Sequence, residues 1–469
     1  MSLAVQSTNK LDYPAAVRRA MGLADFERGT HSPGHSTFHL ERISRLLERL
    51  GNPHLAVPTV HVAGTKGKGS TAAMIASILS AAGMRVGLYT SPSLHTVTER
   101  VRVGMEPVAQ DDFAGLVERM WPEVEWVGEH GGYGPLMYFE FLTALAFQHF
   151  SEANADFQVI EVGLGGRLDA TNVVHPAVSV ITSISLDHTS VLGDTIPLIA
   201  AEKAGIVKPG VPVVVAPQVE GALDTIRRIA VERSSPMVDV DRKLSWQLHH
   251  ADLDGQSLSV SGLRDTYEVT LPLISEYQRE NASTAIAAAE TLIDAGHSLT
   301  KANILDGLRN VRWPGRFQVL RRAEPQVIAD GAHNPYSMRR FVEALTRHVD
   351  FEHPFIVFGA VKGHSAVEML EELAVLDPTV IAVQSRHPKA ATVEEIAEAA
   401  QAAGVSVVME HGGVGAATRR ALALATNSDA VVGTGSLSVV GEMIEEIEGI
   451  EPELYPYLKG VKRHNGRNG

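Results

Sequence analysis

Residues His61 to Met74 read HVAGTKGKGSTAAM, and within them Gly64, Thr65, Lys66, Gly67, Lys68, Gly69 and Ser70 spell a phosphate-binding loop in an unusual form. The common nucleotide loop is G-x-x-x-x-G-K-[ST]; here a glycine separates the lysine from the serine. Glycines at 64, 67 and 69 let backbone N–H groups turn inward around an anion, and a helix opening after them points its positive end at the same place. Lys68 is placed to neutralise β- and γ-phosphate oxygens, with the hydroxyl of Ser70 or Thr71 close by. The plain alternative is a glycine-rich turn without a ligand; the lysine inside the loop favours the nucleotide.

Three further polar groups close apolar, strand-like runs: Ser91 after GLYT, Glu161 in FQVIEV and His188 in SLDH. In an open parallel sheet the ligand sits beyond the carboxyl ends of the strands, so all three are candidates to face the loop. A hydroxyl, a carboxylate and an imidazole make a partial shell for Mg²⁺, completed by water and nucleotide phosphates. Histidine is an uncommon magnesium ligand, so a second reading stays open: Glu161 paired with a base such as Arg167, and His188 satisfied within its turn. The glycine cluster EVGLGGRLDATN (161–172) is no dinucleotide fingerprint, because G-x-G-x-x-G requires glycine where Leu168 stands. That argues against a nicotinamide or flavin enzyme.

The elements that must position these groups follow from periodicity. PTVHVAG (58–64) is a short β-rich run; STAAMIASILSAAG (70–83) places Met74, Ile75, Ile78 and Leu79 on one helical face; RVGLYT (85–90) is β-rich again. A strand, loop, helix, strand unit of this kind makes a parallel sheet. FQVIEV (157–162), VSVITSIS (178–185) and VPVVVAP (211–217) extend it, with a helix around IPLIAAEKAGI (196–206). From about 236 to 274 alternating segments predict a small antiparallel sheet, and NASTAIAAAETLIDAG (281–296) returns to helix. A second series follows VRWPGRFQVL (311–320), with strands at 326–330, 355–361, 379–385, 405–410 and 429–434 separated by helices, as in a doubly wound Rossmann-like domain. The expected architecture is α/β throughout. Residues 1–311 form an ATP-binding P-loop domain with a mostly parallel sheet plus the small antiparallel one, and residues 312–469 form a C-terminal α/β domain.

Composition narrows the functions. The chain of 469 residues has no cysteine, which excludes disulfides, thiolate zinc sites and cysteine nucleophiles. A formal net charge of −14 with no Lys/Arg run argues against nucleic acid as a partner, so anions must be held by local devices. No apolar stretch is long enough to span a bilayer, and the first residues lack a secretory pattern, so the expectation is a cytoplasmic protein with no membrane partner. The polar tail GVKRHNGRNG reads as frayed.

Taken together, GTKGKGS, TSPSLHTVTERVRV, FEF (139–141), EVGLGGRLDATNV, SLDHTSVLGDTIPLIAAEKAGIVKPG, WPGRFQV, DGAHNP and GTGSL resemble, in order and spacing, the folylpolyglutamate synthase / dihydrofolate synthase family of the Mur-ligase superfamily. The resemblance spans residues from about 15 to 445 and points to a bacterial bifunctional enzyme. It implies an ATP-dependent amide ligase that joins L-glutamate to dihydropteroate or a reduced folate through an acyl phosphate. ATP then lies on Gly64 to Ser70 with Lys68, and Ser91, Glu161 and His188 match the magnesium positions. Asn281 in YQRENA, Arg316 in WPGR and Asp330 in DGAHN match nucleotide contacts. Lys203 in AEKAGI matches a lysine that is carbamylated in the family; its bland reading is a solvated helix lysine. Leu168, Asp169 and Ala170, with parts of 91–102, resemble the pterin-side pocket. Arg316, Asp330 and His333 on a separate domain suggest closure over ATP, with His333 and Asn334 positioning glutamate or the transferring phosphate. The family also suggests a monomer.

The chain departs from the family at Ser93 and Tyr277, where histidine is common, at Val103, and at Lys66, where asparagine is frequent; AVKGHS (360–365) lacks a usual acidic-lysine-acidic run. None of these removes a phosphate or metal residue, but Ser93 and Val103 lie near the pterin. Competing readings are another superfamily ligase acting on a cell-wall or poly-γ-glutamate substrate, against which the G-K-G-S loop argues, and a regulatory P-loop NTPase.

Overall fold

Thr59–Ala63 is a run of β-branched and small residues, all of them buried, and it forms β1, an interior strand of the first unit's sheet. The computed structural model describes residues 10–25, 39–322, 324–363 and 365–455; the polar tail, and His364 of the 360–365 segment, lie outside the described residues. The chain divides into two units, Met1–Ser93 with Val97–Trp313, and Leu94–Thr96 with Pro314–Gly469.

In the first unit, β1 is joined by β2 (Val86–Tyr89), β3 (Val101–Val103), β4 (Glu106–Pro107), β5 (Phe157–Glu161), β6 (Val178–Ile181), β7 (Val213–Val215) and β8 (Met237–Asp239) in the order β4-β3-β2-β5-β1-β6-β7-β8. β2, β5, β1, β6, β7 and β8 pair in parallel; only the β2–β3 and β3–β4 pairs at one edge are antiparallel. The chain leaves β1 for β2 on one side and reaches β6 on the other, so strand order turns over at β1, where a ligand crevice opens in such sheets. The strand anticipated over 178–185 stops at Ile181, because the Ser183 carbonyl accepts the Thr65 and Lys66 N–H groups instead of extending the ladder.

The helix after the loop, Lys68–Ala81, is buried from Ser70 through Leu79 and not on one face alone. The sheet covers one side of it, and the helices Glu276–Asp294 and Lys301–Asn310 cover the other in the same apolar core. Gly307 permits the approach: a Cβ there would stand 2.4 Å from the Ile78 Cα, while Ser77 Oγ donates to the Gly307 carbonyl at 2.7 Å. Burial of Ile75, Ile78 and Leu79 stabilises this anchor by roughly 2 kcal/mol each, which keeps the loop before it in one place.

The small antiparallel sheet consists of β9 (Ser245–Asp252), β10 (Gly255–Ser261) and β11 (Thr266–Leu271), with strict exposed-buried alternation on β11. It begins later than the alternation anticipated from 236, since β8 pairs in parallel with β7 and belongs to the large sheet. Three residues are too few for a period to reveal which sheet they join.

The second unit adds β12 (Gln318–Arg321), β13 (Gln326–Ala329), β14 (Pro354–Phe358), β15 (Thr379–Val383), β16 (Ser406–Glu410) and β17 (Ala430–Thr434) in the order β12-β13-β17-β14-β15-β16. All its pairs are parallel except the β12 edge, and helices of nine or more residues follow β13 to β17. Among the described residues no helix is long and apolar enough to cross a membrane.

Candidate active site

The loop opens from the carboxyl end of β1. Gly64 at φ 148° passes so close to β6 that a Cβ would fall 1.9 Å from Thr182 Oγ1, and Gly67 at φ 86° would place one 2.3 Å from Asn281 Oδ1. Both positions therefore need glycine for conformation and for space. Thr65 is tied by its hydroxyl to the Ser185 carbonyl, and Lys66 pairs with Asp187 at 2.8 Å. Gly67 caps the helix that starts at Lys68, so the orphan N–H groups of its first turn gather beside the loop. Asn281 reaches this turn from the helix Glu276–Asp294: its Oδ1 accepts from Thr71 Oγ1 at 3.4 Å, and Gln278 Nε2 lies 3.4 Å from Ser70 Oγ. Gly67→Ala is expected to weaken ADP binding at least tenfold, as strain and the Asn281 clash add to a few kcal/mol; calorimetry against wild type checks it.

Lys203 is not a solvated helix lysine. It is 4% exposed, and its Nζ donates to the Gly64 carbonyl at 2.8 Å. Burial, and then the charge of Lys68, lower it to about 7, with Lys66 acting in the same sense and Asp187 opposing. Three amines thus meet behind the loop, one of them balanced by Asp187 and one driven toward neutrality.

Glu161 ends β5 opposite Val62 of β1, is 4% exposed, and accepts the Ser91 N–H at 3.1 Å. Two of the three magnesium candidates are thereby brought together. The alternative pairing with Arg167 does not occur, because Arg167 turns outward and holds Glu202 through Nε and Nη2 at 3.0 and 2.8 Å. His188 takes a left-handed backbone at φ 49°, and its ring is half exposed, 3.8 Å from Asp187 Oδ1. Among the described residues, no group of three or more His, Asp or Glu side chains is placed to hold a metal ion by itself.

The cluster after Glu161 serves close packing. A Cβ on Gly166 would meet the Glu202 and Lys203 carbonyls at 2.8 Å, and one on Gly205 the Arg167 backbone at 2.4 Å. The turn is thereby pressed onto the helix Ile196–Lys203 and the short helix that follows it. Leu168 is half-buried and Ala170 buried, while the buried Asp169 carboxylate caps the short helix Ala170–Val173. Burial pushes the Asp169 carboxyl up, against its hydrogen bonds.

In the second unit, Asp330 follows β13 and ties two strands of chain together: Oδ2 accepts Phe317 N–H at 2.8 Å and Oδ1 accepts Ala332 N–H at 2.9 Å. Arg316 Nη1 donates to the Gly315 carbonyl at 3.0 Å, and Gly331 leaves it room, a Cβ there falling 2.7 Å from Nη1. His333 Nδ1 donates to the Gly331 carbonyl at 2.8 Å. Asn334 caps the helix Pro335–His348 through Ser337 N–H at 2.9 Å, which uses the oxygen expected to position a substrate. Sequence reasoning missed Asp187 and Gln278. A carboxylate beside His188, and an amide three residues before Asn281 on a helix, were the available signals.

The chain matches the Mur ligase middle domain over residues 140–289 and the Mur ligase glutamate ligase domain over 315–437. It is 36% identical over 366 residues to the dihydrofolate synthase/folylpolyglutamate synthase of Bacillus subtilis, covering 77% of this chain and 84% of that protein. With the Escherichia coli protein of the same name it shares 34% identity over 411 residues, 87% of this chain and 91% of that one. The structure of Mycobacterium tuberculosis folylpolyglutamate synthase complexed with ADP and AMPPCP superposes with TM-score 0.83 at 31% identity, covering 94% of this chain and all of that one. E. coli FolC in complex with DHPP and ADP gives 0.79 at 32%, covering 90% and 96%. A glycine-rich loop at the strand-order reversal, two Mur-ligase domains and identity sustained over most of both chains lead to one assignment: the chain is an ATP-dependent amide ligase that belongs to the folylpolyglutamate synthase/dihydrofolate synthase family.

Proposed function

We propose that the protein joins L-glutamate to both dihydropteroate and a reduced folate, through an acyl phosphate. The observation that supports the phosphoryl-transfer part of this reading is Lys203 Nζ on the Gly64 carbonyl, which places a buried amine lowered to about 7 against the glycine-rich loop; the two acceptors follow the relatives' names. In this reading the expected ATP-binding domain (1–311) corresponds to the first unit and the expected glutamate ligase domain (312–469) to the second, although the second unit starts at Pro314 and also takes in Leu94–Thr96.

A carboxylate resists attack by an amine because oxide would have to leave. In the proposed reaction its oxygen attacks the γ-phosphorus, the bond to the β–γ bridging oxygen breaks and ADP departs. The glutamate amine, having lost a proton, then attacks the acyl carbon, and phosphate leaves. Lys68 offsets the repulsion between the two anions of the first step and stabilises the charge in transfer. Asn281, with the loop N–H groups, orients the nucleotide; Asp330 holds the Arg316 segment, and His333 orients glutamate.

The donor set fits magnesium that arrives with the nucleotide. Glu161 is a buried carboxylate undisturbed by Arg167, with Ser91 beside it and the half-exposed His188 ring near the Lys66–Asp187 pair. When bound, Mg²⁺ screens the phosphate oxygens and polarises the transferring group. A carbamate on Lys203 would supply a further carboxylate on the same side. The backbone Leu168–Ala170 lines the acceptor side. The protein is a cytoplasmic monomer in this reading.

The test is phosphate release from Mg·ATP with L-glutamate, comparing dihydropteroate, tetrahydrofolate and no acceptor. Turnover with both acceptors is expected. Tetrahydrofolate alone would reduce the assignment to a dedicated polyglutamate synthase, and silence with both, in protein that binds ATP, would return the chain to another amide-ligase substrate.

A further inference from the structure

His61 lies three residues before Gly64 on β1 and is fully buried. Alternation along the strand turns Val60 and Val62 toward the helix Lys68–Ala81, while Ala63 packs on the opposite face with Val162 and Ile206. His61 shares that opposite face. Its Nε2 stands 2.8 Å from Thr171 Oγ1, and Thr171 Oγ1 stands 2.5 Å from Asp169 Oδ1. Thr171 is fully buried and Asp169 is 5% exposed.

The proton count fixes the direction of this chain. With Asp169 ionised, the form its two backbone N–H donors favour, Thr171 donates its one hydroxyl proton to the carboxylate, so its oxygen accepts from His61 Nε2–H. His61 Nδ1 then carries no proton, and it has no hydrogen-bond partner. Burial, and secondarily the charge of Lys208, lower His61 to about 3, so the ring stays neutral at physiological pH.

Asp169 is held from within its own turn. Oδ1 accepts from Thr171 Oγ1 and Thr171 N–H, and Oδ2 accepts from Leu164 N–H at 2.9 Å. Both oxygens are thereby engaged by the protein's own donors. The carboxylate ties Leu164 to Thr171 and thereby shapes the intervening backbone, Leu168 and Ala170 included. A valine or leucine at 61 would pack between apolar neighbours without a buried unpartnered nitrogen, which costs about 1–3 kcal/mol. What the imidazole adds is the bond to Thr171.

We propose that His61 and Thr171 are positioning residues, through which the strand that carries the phosphate loop holds Asp169 and the Leu168–Ala170 backbone in the form that receives the acceptor. The inference rests on the proposed placement of the acceptor at 168–170. It makes Asp169 a shaping group for that surface.

The test compares Thr171→Val, Thr171→Ser, His61→Leu and His61→Gln with wild type. Steady-state kinetics use whichever of dihydropteroate and tetrahydrofolate wild type turns over, and calorimetry measures ADP affinity. Thr171→Val and His61→Leu should raise the acceptor KM about tenfold, with ATP KM and ADP affinity within about twofold. Thr171→Ser, which keeps the hydroxyl, and His61→Gln, whose amide can donate in place of Nε2–H, should stay within about threefold of wild type. An unchanged acceptor KM in Thr171→Val, a matching loss of ADP affinity, or failure of Thr171→Ser to restore the acceptor KM would overturn the proposal. A wild type that turns over neither acceptor refutes the functional reading separately. The relay is then decided by imidazole ¹⁵N spectra: His61 should be an Nε2–H tautomer that does not titrate between about pH 8 and 5 and changes in Thr171→Val. A ring titrating in that range overturns it.

Discussion

Replacing Lys203 with arginine is expected to lower turnover by about 10²- to 10³-fold, with ADP affinity held within about threefold. The buried Nζ is lowered to about 7, so near neutral pH about half of these amines are uncharged and able to attack carbon dioxide. In the proposed carbamylation the nitrogen lone pair forms the bond to carbon, the N–H proton is released to water, and a carbamate anion results. A cation behind the loop thereby becomes an anion facing Lys66 and Lys68, the two lysines whose charges help to depress it. Arginine stays protonated and cannot follow. Wild-type activity should fall in CO₂-depleted buffer and recover with bicarbonate, and the recovery should grow as pH rises through about 7, because the neutral amine is the reactive form. The arginine variant should ignore bicarbonate. A wild type indifferent to CO₂ together with an active arginine variant would remove the carbamate from the mechanism.

Lys68→Met should reduce kcat/KM by about 10³-fold, with a larger loss of affinity for AMPPCP than for ADP. Lys68 is the first residue of a buried helix, so its ammonium adds to the positive helix end at the place where the loop N–H groups gather. Methionine keeps the length and apolar stem and removes only the charge. Lys66→Met should cost much less, since its ammonium is paired with Asp187 at 2.8 Å. Parallel titrations with the two nucleotides and steady-state rates decide the matter; equal losses at Lys66 and Lys68 would mean that general charge, and not the position of Lys68, sustains transfer.

The contrast between these two lysines shows what the sequence makes legible. Both sit in one glycine-rich loop, and the motif spacing singles out Lys68 without saying what Lys66 pairs with. Asp187, 121 residues away, is what separates them in the folded chain. Arg167 and Glu161 are only six positions apart and were an open pairing in the sequence; the structure sends Arg167 to Glu202 because Gly166 and Gly205 press its backbone onto the neighbouring helix. The helix after the loop carries apolar residues on one readable face, yet it is buried all round, since the helices that cover its far side come from residues 276–310.

The amino-acid sequence by itself determined the phosphate loop, the strand-helix alternation of both units and the polar strand ends, because glycine conformations, strand alternation and helix signals act over a few residues. The tertiary structure alone decided that Lys203 is buried on the Gly64 carbonyl 139 residues distant in number, that His61 reaches Asp169 through Thr171 across 110, and that Leu94–Thr96 groups with the second unit. Desolvation, charge coupling and long-range side-chain hydrogen bonds belong to groups brought together by folding. No period or spacing along the chain encodes which groups those are.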